Sequence, residues 1–230
     1  MTQPAPPTVK PGNTPRKPRK NDPDKTREDI LQAAIVEFVH QGLSGARVDA
    51  IAERTRTSKR MIYYYFGSKE QLYLQVLEKL YSDIRTTEAQ LNLSALEPIT
   101  AIRRLVEFTF DHHERNRDFV RIVSIENIHY GEHVKNSTKI RSLSNSILQT
   151  LGDILHRGEQ QQLFRAGLEP LDVHLLISSF CFYRTSNQCT FGQIFNLDLQ
   201  DEKLKERHRN MISEAVLAYL QYGTPAPIVP

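Results

Sequence analysis

Apolar residues return every three or four positions along most of this chain, and runs of strict alternation are absent. That spacing is one face of an α-helix, whereas a half-buried strand alternates. From Thr26 the face reads Ile30, Leu31, Ala34, Ile35 and Phe38, and Gln41-Gly42 supplies the stop. A short helix is predicted over Val48 to Arg54, burying Val48, Ile51 and Ala52. A third begins near Ser58, whose hydroxyl can cap it, and a fourth starts at Ser68-Lys69-Glu70 and runs through Leu72, Val76, Leu77 and Leu80. Further helices are expected from Pro98 to about Glu114, Asp118 to His129, Ser137 to Gln161, Pro170 to about Phe191, and Asp201 or Glu202 to Tyr222-Gly223. Ile140, Leu143, Ile147, Leu151, Ile154 and Leu155 keep one apolar face over several turns. The expected fold is all-α, a small amino-terminal three-helix bundle followed by a larger helical domain.

The 39% apolar content of these 230 residues is enough for a real core. Leu175 to Tyr183, the longest strongly apolar stretch, is far shorter than the ~20 residues a bilayer takes. The basic amino terminus carries proline where a secretory signal needs an apolar run, so a cytoplasmic protein without a membrane span is expected. Residues 1–70 hold 13 Lys and Arg against 8 Asp and Glu, whereas the remainder holds 17 against 19. A basic surplus confined to the amino-terminal part suits a polyanionic partner there and a different task beyond. Residues 1–23 contain seven prolines and the acid-free cluster Arg16, Lys17, Arg19 and Lys20. They read as a flexible arm, either a solvated tail or a segment that follows DNA. Cys181 and Cys189, the only cysteines, would lie ~12 Å apart on one helix, too far for a disulfide.

Val48 to Arg54 followed by Ser58-Lys59-Arg60-Met61-Ile62-Tyr63-Tyr64-Tyr65-Phe66 has helix-turn-helix spacing. The second helix of such a motif enters the major groove, so its front is polar and its rear apolar. Lys59 and Arg60 occupy the front, Ile62 and Phe66 the rear. Arg60 can bridge guanine O6 and N7, while Tyr63, Tyr64, Thr57 and Ser58 offer hydroxyls and Lys69 opens the next helix, where free amides favour phosphate. Tyr65 and Phe66 read as scaffold.

The run from Thr57 through Phe66-Gly67-Ser68-Lys69-Glu70-Gln71 to Leu72 resembles the signature of the TetR family of bacterial transcription regulators, with the resemblance covering about residues 26–80. It implies a homodimer on a palindromic double-stranded operator, a ligand pocket in the second domain, and release from DNA when a small molecule binds. By position it implies DNA contacts at Arg47, Thr57, Ser58, Lys59, Arg60, Tyr63, Tyr64 and Lys69. It also divides the chain into an arm at 1–23, a DNA-binding domain at 24–70, a ligand-binding and dimerisation domain at 71–222, and a tail at 223–230. The last two helices are then the expected dimer face. Members commonly have glycine at the turn where this chain has Arg56, so the turn either avoids a positive φ or holds Arg56 there under strain.

In the second domain, Phe180, Arg184, Asn187 and Phe191 fall on one stripe if the helix from Pro170 is continuous. Aromatic walls, an amide and a guanidinium suit a flat ring bearing a carboxylate, with Glu126 and Asn127 of a facing helix reading ring nitrogens. Phe108, His112, Phe119 and Ile122 complete the expected pocket, and a weaker similarity to regulators of pyrimidine and nicotinate breakdown implies ligands of that size. The other reading has Arg184 pairing with an acid across the dimer. His129-Tyr130-Gly131-Glu132-His133 matches H-x-x-E-H, a zinc-hydrolase pattern, so metal sensing or metal-dependent hydrolysis through His129, Glu132 and His133 is the rival hypothesis. Gly131 opposes the helix that pattern needs. Neither a phosphate loop nor a nucleophile elbow occurs, so no enzyme activity, bound metal or cofactor is expected.

Overall fold

The computed structural model describes residues 22–222, and the arm up to residue 21 and the tail from residue 223 lie outside them. Helices α1 (Pro23–Gly45), α2 (Val48–Thr55), α3 (Lys59–Phe66) and α4 (Lys69–Ala89) form the first part. Helices α5 (Pro98–Arg115), α6 (Arg117–Ile128), α7 (Thr138–Gln160), α8 (Pro170–Ser186), α9 (Gln188–Phe195) and α10 (Glu202–Tyr222) form the second. No strand occurs among the described residues.

Side-chain caps set the helix starts. The Asp22 carboxylate accepts from the N–H groups of Asp24 at 3.1 Å and Lys25 at 3.2 Å, so α1 begins ahead of Thr26 with Pro23 in its first turn. Ser58, Ser68 and Ser137 accept from Met61, Gln71 and Ile140 at 3.2, 3.1 and 3.1 Å and open α3, α4 and α7. Each cap is worth ~1 kcal/mol, because a helix start otherwise leaves its first N–H groups without partners.

Two cores result. The first joins α1 to α4 around Phe38, Ile51, Ile62, Phe66, Leu72 and Tyr73, and Ile122 of α6 and Ile140 of α7 reach into it. Phe38 and Tyr73 meet edge to face at 5.2 Å. The second core draws Ile102 and Val106 from α5, Leu151 and Ile154 from α7, Val173 and Ile177 from α8, and Val216 and Leu220 from α10.

The expected helix from Pro170 to Phe191 is two helices. Asn187 sits at the break with φ −102° and ψ 8°, and its amide donates to the Tyr183 carbonyl at 3.3 Å and to Ser186 Oγ at 2.8 Å. Short polar side chains that bond the backbone compete with helix continuation, and Thr185-Ser186-Asn187 supplies three in a row. Cys181, buried, and Cys189, exposed, therefore stand on different helices as free thiols.

The turn between α2 and α3 settles the alternative left open at Arg56. Arg56 adopts φ 54° and ψ 33°, and its N–H bonds the Ala52 and Glu53 carbonyls, closing α2. A side chain in this left-handed region costs about 1–2 kcal/mol, and the exposed Arg56 side chain offers little in return. The neighbouring turn at Gly67 has φ 78° and ψ −70°, a backbone conformation that a side chain rarely adopts. Arg56→Gly is expected to raise the thermal midpoint by roughly 2–4 °C, about 1 kcal/mol, with Arg56→Ala giving no gain. Equal midpoints for the two variants in a melting experiment would show that the turn carries no strain.

Candidate nucleic-acid interface and effector cavity

Helix α3 turns Ile62 and Phe66 into the first core, which forces its opposite side into solvent. That outer side carries Lys59 and Arg60, both exposed, with Tyr63 and Tyr64 following. Tyr64 is 78% exposed, so packing does not account for it. Lys59 pairs with Asp49 of α2 at 3.2 Å, with both side chains half exposed. Such a pair is worth under ~1 kcal/mol and leaves the ammonium free to exchange partners. Arg47 caps α2, its N–H donating to Glu37 Oε1 at 2.9 Å while its side chain stays in solvent. Thr57 and Ser58 form the turn itself. Lys69 differs, because its ammonium donates to the Ala46 carbonyl at 3.2 Å and ties the start of α4 to the α1–α2 corner. Tyr65 is half-buried against the core, as its scaffold reading requires. A residue that local pattern does not reveal also matters: the Arg27 guanidinium lies 5.1 Å from the Phe66 ring centroid and bonds Gln75, fastening the rear of α3 to α4.

Where the two parts meet, α4, α5, α6, α7 and α8 line a cavity of about 310 Å³. Its aromatic wall is a chain of edge contacts, Tyr81 to Phe119 at 5.3 Å, Phe119 to His113 at 5.8 Å and His113 to Phe182 at 6.1 Å. Its polar groups are Arg85 and Glu88 of α4, Thr109 and His113 of α5, and His174, Ser178 and Ser179 of α8. Burial pulls the His174 pKa down to about 4 and also lowers that of His113, whose Nδ1 donates to the Thr109 carbonyl at 2.6 Å. Both imidazoles are therefore neutral at pH 7.

Helix α6 connects this cavity to the first part. Phe119 and Val123 line the cavity, while Arg121 Nε donates to the Val39 carbonyl of α1 at 2.6 Å and Ile122 enters the first core. The Glu126 carboxylate at the end of α6 accepts from the N–H groups of His133 at 2.7 Å and Val134 at 3.0 Å and lies 3.1 Å from His133 Nδ1.

Two family models match the chain, that of bacterial regulatory proteins of the tetR family over residues 30–76 and that of a tetracyclin repressor-like C-terminal domain over residues 98–216. The chain belongs to the TetR family. It is 36% identical over 203 residues to the HTH-type transcriptional repressor NicS of Pseudomonas putida, covering 88% of this chain and 96% of NicS. The HTH-type transcriptional regulator RutR of Escherichia coli is 33% identical over 40% of this chain and 42% of its own length. Among solved structures, SCO4942 of Streptomyces coelicolor matches with a TM-score of 0.63 at 25% identity, over 85% of this chain and 98% of that one. The complex of FadR from Bacillus subtilis with stearoyl-CoA shares the fold, with a TM-score of 0.61 at 17% identity over 86% and 98% of the two chains.

Within this TetR fold the ring-binding stripe expected on the helix from Pro170 does not assemble. Arg184 is buried and pairs with Glu114 of α5, donates to the Leu199 carbonyl at 2.7 Å and to His208 Nδ1 at 3.1 Å, and covers the Phe110 ring at 5.0 Å. Its acid is within the same chain, so it is neither a cavity wall nor a partner contact. Asn187 is spent on the helix break, and Phe191 packs against Phe195 and Tyr183 at 4.5 and 6.4 Å, outside the cavity. Phe180 stands against His208, and Phe108 and His112 border a separate, polar hollow of about 410 Å³ with Asp111 and Arg209. Ile122 and Glu126 serve the joint with α1, and exposed Asn127 bonds the Val123 carbonyl at 3.0 Å. Of the expected pocket residues, Phe119 alone lines the cavity.

The H-x-x-E-H segment forms no metal site. Tyr130 and Gly131 have φ 58° and 68°, so His129 and Glu132 lie on an exposed turn instead of a helix, and His133 is held by Glu126. No cluster of three His, Cys, Asp or Glu suited to a metal occurs among the described residues.

Because the Arg184 and Glu114 side chains are only 4% and 9% exposed, removing one strands the other. Arg184→Met is expected to cost about 3–5 kcal/mol in urea unfolding, and Arg184→Met with Glu114→Leu to recover most of that. A single variant as stable as the parent would contradict this geometry.

Proposed function

We propose that this TetR protein is a dimeric transcriptional repressor that leaves its operator when a small molecule fills the cavity between α4 and α8. The observation that carries the reading is that α4 and α6 each belong to both places. Helix α4 contributes Leu72 and Tyr73 to the core behind the recognition helix and Tyr81, Arg85 and Glu88 to the cavity; α6 lines the cavity and is bonded to α1. A ligand that favours one setting of these helices therefore shifts the spacing of the DNA-reading helices, by as much as its affinity differs between the settings. The likeness to the repressor NicS over nearly the whole chain supports this sense of action.

The partner for dimerisation is a second copy. Leu171, Leu175, Ser179 and Tyr183 recur every four residues along α8, with Leu175 and Ser179 at the rim of the cavity, and Met211, Ala215, Ala218 and Tyr222 follow helical spacing on the outer side of α10, all exposed. Two adjacent helices with an apolar side turned outward suit a four-helix interface. The dimer reads a palindromic operator through Arg60 and Lys59, with Arg47, Thr57, Ser58, Tyr63, Tyr64 and Lys69 positioning the backbone.

The effector is an aromatic or heterocyclic carboxylate, held by different residues from those the sequence suggested. The cavity's 310 Å³ is at the small end of ligand sites, its Tyr81, Phe119 and Phe182 walls suit a flat ring, and Arg85 is its only arginine.

Arg60→Ala is expected to weaken operator binding by about 1–3 kcal/mol and blur one position of each half-site, whereas Lys69→Ala weakens operator and random DNA alike. Equal losses on both DNAs for Arg60→Ala in anisotropy titrations would remove the base-reading role. For the effector, Arg85→Met is expected to keep operator binding and lose release by ring carboxylates such as benzoate or pyridine carboxylates in footprinting. Release that persists unchanged in that variant would refute the carboxylate site.

A further inference from the structure

Arg85 is buried with an incomplete set of partners. Its Nη1 donates to the Glu88 carboxylate one turn along α4, with the two side chains only 13% and 10% exposed, and its Nε has no partner. A buried guanidinium held at one edge is costly, since the unpaired N–H has given up water for nothing. The pair also stands between two spaces. On one side is the aromatic cavity; on the other is a hollow of about 400 Å³ lined by Asn92, Ser94, Thr150 and Asp153. Glu88 borders both, so it can leave Arg85 without leaving open space.

We propose that Glu88 occupies Arg85 in the empty protein in place of the effector's carboxylate, and that the effector displaces it while Glu88 takes up one proton from solvent. The inference rests on the carboxylate reading above. Arg85 lines the cavity, so a ring carboxylate entering from the aromatic side competes with Glu88 for the same guanidinium. Once Arg85 is taken, an ionised Glu88, only 10% exposed where it stands and sharing its hollow with Asp153, would have lost its counter-charge. Burial already raises the Glu88 pKa even with Arg85 beside it, and losing Arg85 removes what holds it down. Other titratable groups face the same space. His113 of α5 and His174 of α8 are kept neutral by burial, Tyr81 of α4 has its pKa raised and also stays neutral, and Asp153 of α7 lies on the far hollow. The two imidazoles are thus the rival proton acceptors, and a variant of Glu88 separates them from it.

The linkage has a definite sign. Between the Glu88 pKa of the empty protein and the higher one of the complex, binding takes up a proton, so affinity falls by up to tenfold per pH unit as pH rises. The test is calorimetric titration of the full chain with benzoate, with benzamide as the neutral control, in buffers of different ionisation enthalpy across pH 6–9. The parent protein is expected to take up protons on binding benzoate, at most one per site, within the part of that range that lies between the two Glu88 pKa values. Glu88→Gln, which keeps an acceptor for Arg85, is expected to bind benzoate more tightly, without proton uptake and with flat pH dependence. Benzoate binding that Arg85→Met abolishes but that shows no proton uptake in the parent protein, or uptake that persists in Glu88→Gln, overturns the exchange and leaves the carboxylate site standing. No saturable binding of benzoate or pyridine carboxylates to the parent protein overturns both.

Discussion

Helix α4 has to satisfy two cores at once, and the rest of the molecule is arranged around that constraint. Its first half buries Leu72, Tyr73, Val76 and Leu77 fully against α1 and the recognition helix. Its second half turns Tyr81, Ile84, Arg85 and Glu88 toward a cavity built by the other domain. A rigid helix of 21 residues spans ~30 Å, so a change of tilt at one end is displaced, not absorbed, at the other. Helix α6 reinforces the arrangement from the side, because its Arg121 is bonded to the backbone of α1 and its Phe119 to the aromatic chain of the cavity.

Charge inside this protein is used in two distinct ways. Arg184 is saturated, with each guanidinium nitrogen donating to a separate acceptor from α5, α10 or the chain after α9, and it locks α8 to α5 and α10, while Glu114 Oε2 is left without a partner. Arg85 is open, with its buried Nε unpartnered and one acid beside it on the same helix. A saturated buried arginine fixes a fold and resists substitution, whereas an unsaturated one at a cavity wall retains bonding capacity for an incoming anion. Glu126 belongs to the first kind. Its Oε1 organises the turn after α6 by accepting the main-chain N–H groups of His133 and Val134, and its Oε2 faces His133 Nδ1, which gives the histidine of the apparent metal motif a structural task.

The recognition unit shows how little of a helix-turn-helix depends on an ideal turn. Arg56 accepts a left-handed conformation because the bonds from its N–H to Ala52 and Glu53 and from Thr57 N–H to Ala52 at 3.0 Å close α2 at that point. The capped start of α3 follows at once, so the two helices keep their angle with an arginine in a position suited to glycine.

The sequence by itself determined most of the helices, their order and which face of α3 points outward, because each is written in local terms. Three- and four-residue spacing marks the buried side of α1, α3 and α7, serines at Ser58, Ser68 and Ser137 mark their neighbours' starts, and a helix whose rear is Ile62 and Phe66 must present Lys59, Arg60 and Tyr64 outward. The motif spanning Thr57 to Leu72 is contiguous, so family membership was legible there too. The cavity was not, because its walls come from five helices and its polar groups are as far apart in sequence as Arg85 and His174. Arg184 looked like a ligand group for the same reason. A charge within an apolar run declares that it has a buried partner, yet whether that partner is a ligand, a second subunit or Glu114, 70 residues away, depends on how α5 and α8 pack. Even the stripe that seemed to join Arg184 to Phe191 required a continuous helix, and three hydrogen-bonding side chains at Thr185-Ser186-Asn187 ended it. Local periodicity fixes which side of a helix is buried; only the tertiary structure decides what is buried against it, since pairing between distant segments leaves no mark on either segment alone.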